Sequence, residues 1–380
     1  MVNVDYFFSA LKDSGGDFFT GVPDSLLKDF CAYITDNTSS NNHIIAANEG
    51  NAISLGIGYY MATKKIPLIY LQNSGLGNII NPLLSLADPD VYSVPMLLLI
   101  GWRGEPNIKD EPQHIKQGKV TTHLLDSMNI PYEILSSEMN SKDAEQALKK
   151  MLKNALLFKS PCAILVKKAT FESYKLKLER GYERELNREK VIEIIINNLE
   201  KDDIVVSTTG VTSRELFELR EKYSESHEKD FLTVGGMGHA SQIALGISLF
   251  KKNRIVYCID GDGALLMHMG SLAINANNAG DNFKHIVINN CAHDSVGGQP
   301  TVGDKIDITG LALSAGYVWA KTALDKTNIT NLIQEIKGVK GPALLEIQVK
   351  KGFRKDLGRP TISPLENINS FMEFLDNDSN

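Results

Sequence analysis

Cysteine is scarce in this sequence and cannot supply a disulfide framework. Only Cys31, Cys162, Cys258 and Cys291 occur in 380 residues, and no two of them form a C-x-x-C pair. A chain of this length buries enough apolar surface to fold without disulfides or a structural metal. We therefore predict reduced thiols that are mostly buried, and a cytoplasmic protein.

Long hydrophobic runs and an excess of positive charge are also missing. The apolar stretch Val94–Ile100 is far shorter than the ~20 residues of a membrane helix. The N-terminal segment carries acidic residues and no basic region, which argues against a secretory signal. Forty Lys and Arg against 46 Asp and Glu give a net charge of −6. We expect neither a membrane span nor a nucleic-acid partner.

Strand-like apolar runs alternate with helix-length segments along the whole chain. Nearly continuous apolar runs are typical of parallel strands that are buried on both faces. The alternation predicts an α/β fold with doubly wound parallel sheets. The runs are Ile66–Leu71, Met96–Ile100, Ala163–Val166, Ile204–Ser207, Arg254–Ile259, His285–Ile288 and Ala343–Val349, and two of the helical segments are Ala144–Leu157 and Lys190–Leu199.

A charge-rich segment divides the chain into halves of similar size. Residues 172–190 contain few large apolar side chains, as domain linkers do. We predict a first domain over residues 1–172, a solvated linker over 173–189 and a second domain over 190–366. A polar, partly frayed tail is expected over 367–380.

The two halves resemble each other. A shift of 188 residues without gaps places Gly50 on Gly238 and ends with Leu99–Ile100 on Val287–Ile288. Self-similarity over this length favours two copies of one fold. The polar residues differ between the copies, which suggests one site built from two unlike faces.

Two polar motifs follow neighbouring strands of the second half. Asp262 lies in Gly-Asp-Gly at the end of one strand, and Asn290 ends the next strand 28 residues later. Parallel strands bring both residues to one carboxyl edge of the sheet, where open α/β sheets bind ligands. Carboxylate and amide oxygens suit Mg²⁺, and the glycines together with a helix N-terminus suit a diphosphate.

At these residues the sequence resembles the thiamine-diphosphate-dependent enzymes, whose magnesium-diphosphate motif begins with Gly-Asp-Gly and closes with a double Asn. The family uses two homologous domains for each site, one for the pyrimidine and one for the diphosphate. The resemblance implies thiamine diphosphate and Mg²⁺ as cofactors. It implies metal ligation by Asp262, Asn290 and the carbonyl of Ala292, and diphosphate binding by Gly261, Asp262, Gly263, Ala264 and Asn290.

The resemblance extends to the pyrimidine of the cofactor. In this family a Glu of the pyrimidine domain promotes the tautomer that activates the cofactor, and Glu49 before Gly50 matches that motif. A partly buried carboxyl is suited to shuttling a proton. An apolar residue in the other domain holds the cofactor bent, which implies that role for Met237. The Gly235 carbonyl would accept a hydrogen bond from the pyrimidine amine.

A dinucleotide-binding protein is the rival interpretation of the same segment. Gly236-x-Gly238-x-x-Ser241 follows a strand-like run, and Asp260 lies some twenty residues further on. An NAD-dependent oxidoreductase would, however, explain neither the double Asn nor Glu49.

The motifs at the substrate end narrow the resemblance to the short decarboxylases that act on phosphonopyruvate, with sulfopyruvate decarboxylases as the next relatives. The likeness runs from about residue 5 to residue 360, and it leaves no room for the middle domain of larger relatives. The motifs are Gly21–Ser25, Gln72–Asn78, Gly101–Gly104, Asp110–His114 and Asn290–Thr301.

The implied activity is decarboxylation of 3-phosphonopyruvate in phosphonate biosynthesis, by a homo-oligomer with sites at subunit interfaces. Sulfopyruvate as substrate and a catalytically silent cofactor-binding protein stay open. A substrate with two acidic groups needs cations and N–H donors, and Pro23–Ser25 is expected to start a helix that offers such donors. The candidates for substrate binding are Asp24, Ser25, Asn73, Ser74, Arg103 and Gln113, and those for proton transfer beside Glu49 are His114 and His293.

Overall fold

The computed structural model describes residues 1–377, which divide into two compact units. Unit 1 is Met1–Glu179, and unit 2 runs from Arg180 to the end of the described residues. The division falls inside the segment that the sequence predicts to be a linker. Each unit contains one six-stranded parallel sheet, as the apolar runs predict.

Unit 1 begins with a helix and then alternates strands with helices. Its strands are β1 (Phe19–Gly21), β2 (His43–Ile45), β3 (Leu68–Gln72), β4 (Met96–Gly101), β5 (Tyr132–Leu135) and β6 (Pro161–Val166). Its helices are α1 (Val4–Asp13), α2 (Lys28–Asn37), α3 (Glu49–Thr63), α4 (Leu76–Pro82), α5 (Pro112–Ser127) and α6 (Ser141–Phe158), with a 3₁₀ turn over Asn73–Gly75 and a π-helical turn over Leu83–Ala87.

The sheet of unit 1 has the order β2-β1-β3-β4-β6-β5, and every pairing is parallel. All six residues of β4 are buried, because helices cover both faces of the sheet. Leu97 and Leu99 pack with α1, α2 and α6 on one face. Leu98 and Ile100 pack with α3, α4 and α5 on the other. The period of two explains why the run is continuously apolar.

Unit 2 repeats this plan with a small antiparallel hairpin inserted. Its strands are β7 (Ile204–Ser207), β8 (Asp230–Leu232), β9 (Val256–Gly261), β10 (Phe283–Asn289), β11 (Ala292–His293), β12 (Gln299–Pro300), β13 (Trp319–Ala323) and β14 (Ala343–Gln348). Its helices are α7 (Arg188–Ile196), α8 (Val211–Lys222), α9 (Ala240–Phe250), α10 (Asp262–Met267), α11 (Ser271–Asn278), α12 (Ile308–Ala315), α13 (Lys326–Lys337) and α14 (Pro364–Asp376), with a 3₁₀ turn over Asp294–Val296.

The second sheet has the same topology as the first. Its order is β8-β7-β9-β10-β14-β13, so the second strand along the chain lies at one edge and the fifth at the other, as in unit 1. The shift that aligned the sequences places the start of β3 on the start of β9, since Leu68 corresponds to Val256. The predicted pair of homologous, doubly wound domains is therefore confirmed.

All seven strand-like runs are strands of these sheets. The strands that sequence patterning did not single out are short and lie toward the sheet edges, such as β2 and β5. Edge strands are partly exposed, so their residues carry no continuous apolar signal.

Two boundary expectations need correction. The segment after residue 172 is irregular but not free, because Asp36 of α2 accepts hydrogen bonds from the backbone of Lys177 and Leu178. The expected tail from 367 begins inside α14, where the buried Asn367 donates to the Asp230 carbonyl and Phe371 is buried. Amphipathic packing under β8 holds the helix that the polar composition concealed. Residues 378–380 of the expected tail lie outside the described residues.

All four cysteines are free and buried, whereas the sequence predicts thiols that are mostly buried. Among residues 1–377, no helix is both long enough and apolar enough to cross a membrane.

Candidate functional site

The chemically distinctive residues of unit 1 follow the carboxyl ends of its strands. Asp24 follows β1, Glu49 follows β2, Asn73 follows β3 and Arg103 follows β4. These four strands are neighbours in the sheet, so one edge collects residues that are far apart in sequence.

Glu49 is the first residue of α3 and is 6% exposed. Asn48 caps the helix by accepting a hydrogen bond from the Asn51 amide, which fixes the start of the helix. Asn78 of α4 donates a hydrogen bond of 2.7 Å to Glu49 Oε2. The other oxygen, Oε1, lies against Gly75, where the Cβ of any larger residue would lie only 2.5 Å from it. The carboxyl is thus held in one orientation at the edge of the sheet.

Gly75→Ala is expected to displace the Glu49 carboxyl without unfolding the protein. The backbone at Gly75 is right-handed, so alanine is tolerated there, but its Cβ would push the flexible end of Glu49 aside. If Glu49 acts in the reaction, misplacement on the order of 1 Å lowers kcat by about 10²-fold.

The matched control for this change is Gly77→Ala, two residues on, where nothing lies within 4 Å of an added Cβ. Both variants would be compared by kcat and by melting temperature. Equal kcat values for the two variants would contradict the expectation.

Asp24 is a fully buried carboxyl directly after β1. Its Oδ2 accepts hydrogen bonds from the backbone amides of Leu26, at 2.8 Å, and Leu27, at 3.2 Å. Its Oδ1 has no hydrogen-bond partner among the described residues. Burial raises the pKa of Asp24 to about 6, although the two amides and the nearby Arg103 lower it. Gly101 makes room for this carboxyl, since a Cβ there would lie 2.0 Å from Oδ2.

The expected helix start at Pro23–Ser25 is wrong. Residues 25–27 form bends and α2 begins at Lys28. The reason is local, because the Asp24 carboxyl takes the amide hydrogens that a helix start would have presented to an anion.

Arg103 is a partly buried cation at this edge, with a side chain that is 17% exposed. Its Nε donates to Asp110 Oδ2 at 2.8 Å, its Nη2 donates to Asp110 Oδ1, and its Nη1 donates to Ser25 Oγ at 2.8 Å. Burial alone would raise the pKa of Asp110, but hydrogen bonds from Arg103 and from the Gly104 and Glu111 amides hold it well below its usual range. The guanidinium is therefore fixed between Ser25 and Asp110.

Asn73 holds the Arg103 segment in place. Its Nδ2 donates to the Arg103 carbonyl at 2.8 Å and to Thr121 Oγ1 at 2.9 Å, while its Oδ1 accepts from the Arg103 amide at 3.1 Å. These contacts leave the buried Asn73 amide little capacity for a ligand, so it acts on the edge through Arg103. Ser74 is exposed beside it and accepts from Gln72.

His114 is buried in the first turn of α5, and its Nε2 lies 3.5 Å from Gln113 Nε2. The Gln113 carbonyl oxygen Oε1 is buried without a hydrogen-bond partner among the described residues. The helix sits directly on the Arg103 segment because Gly104 and Gly118 lack side chains, and a Cβ on Gly104 would meet the His114 carbonyl at 1.9 Å. Arg103 and His114 thus belong to one packed substructure.

In unit 2, Asp262 is the first residue of α10, directly after β9, and it is 1% exposed. Burial raises the pKa of its carboxyl to about 7, against a hydrogen bond from Thr301 Oγ1 and backbone amides that lower it. Gly303 lies against the carboxyl, since a Cβ there would approach Asp262 Oδ2 to 2.8 Å.

Asn290 follows β10 and begins a loop that folds back on itself. Its Oδ1 accepts a hydrogen bond from the Ala292 amide at 3.3 Å, and Cys291 between them has a left-handed backbone with φ of 55°. Asn289, the first of the double Asn, points instead into the sheet, where it donates to Glu346 Oε1. The Asn289 Oδ1 accepts from the Cys291 amide at 3.1 Å and lies close to Asp262, since a Cβ on Gly303 would be 2.5 Å from Asn289 Oδ1 and 2.8 Å from Asp262 Oδ2. Asn290 stays the predicted ligand of the pair.

Met237, which the sequence predicts to hold the cofactor bent, lies beside Gly263 at the start of α10. A Cβ on Gly263 would lie 3.4 Å from Met237 Cε and 3.0 Å from His293 Cε1. Gly235, with φ of 75°, is held by its amide donating to Thr209 Oγ1 at 2.9 Å. Burial lowers the pKa of His293 to about 4, so its imidazole is neutral at physiological pH and a poor proton donor.

Sequence reasoning missed three residues of this half. Thr301 binds the Asp262 carboxyl, Asp294 binds the Asn290 amide, and Arg188 joins Asp294 from the start of α7. Thr301 and Asp294 lie inside a motif that the sequence singles out, but their roles depend on the hairpin of β11 and β12. Arg188 lies in the segment predicted to be a solvated linker, so no signal pointed to it.

Taken together, the edge of unit 2 has the donor set of a divalent-cation and diphosphate site. A buried carboxylate whose pKa is raised to about 7 gains from a metal ion, which offsets the cost of burying its charge. Asp262 and Asn290 supply hard oxygens. Gly261, directly before α10, leaves the helix start open to an anion, since nothing lies within 4 Å of a Cβ placed there. Ala264 is also buried at this helix start.

Comparisons with known proteins agree with this arrangement. The family model "Thiamine pyrophosphate enzyme, N-terminal TPP binding domain" matches residues 1–129, and "Thiamine pyrophosphate enzyme, C-terminal TPP binding domain" matches residues 209–347. The chain is 30% identical to a phosphonopyruvate decarboxylase of Streptomyces viridochromogenes, over 99% of this chain and 95% of that protein. The corresponding protein of Streptomyces hygroscopicus is also 30% identical, over 98% and 94%. A sulfopyruvate decarboxylase of Methanosarcina acetivorans is 26% identical over 96% of each chain.

Proposed function

The chain belongs to the thiamine-diphosphate-dependent enzymes, in the family of the phosphonopyruvate decarboxylases, and we propose that it converts 3-phosphonopyruvate to phosphonoacetaldehyde and carbon dioxide. The observation that carries the choice of substrate is the 30% identity to two phosphonopyruvate decarboxylases over nearly the whole chain. We further propose that the reaction serves phosphonate biosynthesis. Because the loss of carbon dioxide is irreversible, it would draw material into that pathway.

Unit 2 would hold the cofactor through Mg²⁺. We assign Asp262 Oδ, Asn290 Oδ1 and the Ala292 carbonyl as ligands, with the diphosphate at the start of α10 beside Gly263. The buried, proton-binding carboxyl of Asp262 supports this assignment. Met237 and the Gly235 carbonyl would contact the thiazolium and pyrimidine portions. When bound, thiamine diphosphate supplies the electron sink for the pair that the departing carboxylate leaves behind.

Unit 1 would handle the substrate and the protons. Arg103 binds an acidic group of the ketoacid, since a guanidinium presents the fork that carboxylate and phosphonate oxygens accept. Ser25, fixed by that guanidinium, adds a hydroxyl donor. Glu49 takes and returns a proton at its carboxyl, which is oriented by Asn78. Asp24 carries a proton at Oδ1 below pH 6 and can release it to the product. We also assign Gln113 and Ser74 to substrate binding and His114 to proton transfer in this unit.

We propose a homo-oligomer as the working assembly. The chain contains one pyrimidine-type and one diphosphate-type domain. The resemblance implies that each site joins the pyrimidine domain of one subunit to the diphosphate domain of another, which needs at least a dimer. Light scattering of the purified chain tests this proposal, and a monomer with full activity would refute it.

The experiment for the function is a side-by-side assay of phosphonopyruvate and sulfopyruvate. Carbon dioxide and aldehyde release are followed with and without thiamine diphosphate and Mg²⁺, after chelator treatment. We expect faster turnover of phosphonopyruvate and a requirement for both additions.

Preference for sulfopyruvate would keep the cofactor assignments and overturn the substrate. Turnover that is indifferent to chelation would overturn the metal assignment. Silence toward both substrates, with the cofactor bound, would support a catalytically silent protein instead.

A further inference from the structure

From the contacts in the loop after β10, we infer that Asp294 is a positioning residue that sets the orientation of the Asn290 amide. The inference rests on the proposed role of Asn290 as a metal ligand. An Asn can serve a cation only through its oxygen, yet its amide is nearly symmetric in shape. Something must therefore prevent the NH₂ group from taking the place of the oxygen.

Asp294 does this by direct contact. Asn290 Nδ2 donates to Asp294 Oδ2 at 2.6 Å, which is short for a hydrogen bond between these groups. A carboxylate only accepts, so an Asn290 amide turned by 180° would bring two oxygens together at this distance. The contact thus places Oδ1 away from Asp294, on the side where it accepts from the Ala292 amide.

The partners of Asp294 are all donors, which fixes it in turn. Arg188 Nη1 donates to the same Oδ2 at 3.1 Å, and the Gly352 amide lies 3.0 Å from Oδ2 and 3.2 Å from Oδ1. Arg188 is itself held by Glu215, with contacts of 2.7 and 3.2 Å. The side chains of Asp294 and Arg188 are 7% and 8% exposed.

This network ties the Asn290 loop to three separate elements. Arg188 begins α7, Glu215 lies in α8 and Gly352 follows β14, so the orientation of one amide is tied to the positions of these three elements. Residues that orient metal ligands in this way typically change metal affinity by about 10- to 100-fold when they are removed. A salt bridge that served stability alone would have no such effect on the metal.

The test exchanges the two side chains. We measure Mg²⁺ affinity by calorimetry, with thiamine diphosphate present, for wild type, Asp294→Asn, Asn290→Asp and the double exchange. Asp294→Asn is expected to weaken Mg²⁺ binding about 10- to 100-fold, because either orientation of Asn290 then finds a partner. Asn290→Asp is expected to weaken it too, because two carboxylates then share one contact. The double exchange restores a donor facing a carboxylate and should recover most of the affinity, so the losses are not additive.

Asp307→Asn is the matched control, since Asp307 caps α12 through the Gly310 amide in the same segment and asparagine caps equally well. It should bind Mg²⁺ as wild type does. Wild-type affinity in Asp294→Asn, or simple additivity in the double exchange, would overturn the inference. If Asp294→Asn fails to fold, Asp294→Ser replaces it. A hydroxyl can accept from the Asn290 NH₂ group or donate to its oxygen, so it favours neither orientation of the amide. If the proposed metal site itself is wrong, wild type shows no Mg²⁺ binding at all. That result is distinct from one in which wild type binds Mg²⁺ and Asp294→Asn binds it equally well.

Discussion

Glu49→Gln is expected to lower kcat by about 10²- to 10⁴-fold while cofactor binding is largely retained. Glutamine fills the same space and can still accept the hydrogen bond from Asn78, so the local packing at Gly75 is preserved. What it cannot do is take up and return a proton. The measurement is turnover at saturating thiamine diphosphate and Mg²⁺, together with calorimetric cofactor affinity.

Asn78→Ala tests the orientation of the Glu49 carboxyl separately from its ability to carry a proton. It keeps the carboxyl but removes the donor to Oε2, so an intermediate loss of kcat is expected. Near-normal turnover in Glu49→Gln would refute the assigned role. Loss of folding in that variant is checked by melting temperature, with Gly77→Ala as the reference for a neutral change in the neighbouring helix.

The architecture was open to prediction because its signals are strong and repeated. Buried parallel strands leave continuous apolar runs, and β4 and β6 are buried along their whole length. Duplication supplied a second, independent signal, since the two sheets share one strand order. Asp262 and Asn290 could be paired from sequence because each follows a strand in a parallel sheet.

Side-chain pairing within the site was not open to prediction in the same way. The sequence suggests that Asn73 binds substrate, but the structure uses its amide to hold Arg103. The composition around Arg188 predicts a solvated linker, although Arg188 is buried against Glu215 and Asp294. Such contacts depend on loops that meet only after folding, and no local period or spacing encodes them.

The turn after β1 is a second place where local sequence signals mispredict the structure, and a single residue is responsible. Pro and Asp before an apolar run are typical signals of a helix start, yet α2 begins only at Lys28. Asp24 is instead drawn into the space over Gly101 and buries its charge. A residue that breaks a local rule at a cost in stability is expected at a functional site.

Asp24→Asn is therefore expected to stabilise the protein while it destroys most of the activity. Burial raises the pKa of Asp24 from 3.8 to about 6, so the ionised carboxylate costs the folded state about 3 kcal/mol at neutral pH. Asparagine carries no charge and can accept the amide hydrogens of Leu26 and Leu27 through its oxygen. Its NH₂ takes the place of the unpartnered Oδ1, which costs about 1 kcal/mol. A net gain of about 2 kcal/mol is expected above pH 7.

The sign of the pH dependence provides the sharper test. Because the pKa of Asp24 is higher in the folded protein than in the unfolded chain, its protonation stabilises the fold below pH 3.8, and that contribution is lost as the pH rises through about 6. The advantage of Asp24→Asn over wild type should therefore be small at pH 4.5 and full at pH 8, as measured by denaturant titration. Asp13→Asn, an exposed position, is the control and should change neither stability nor kcat. A gain that is the same at both pH values, or normal turnover in Asp24→Asn, would show that Asp24 is not the buried proton-carrying group of this site.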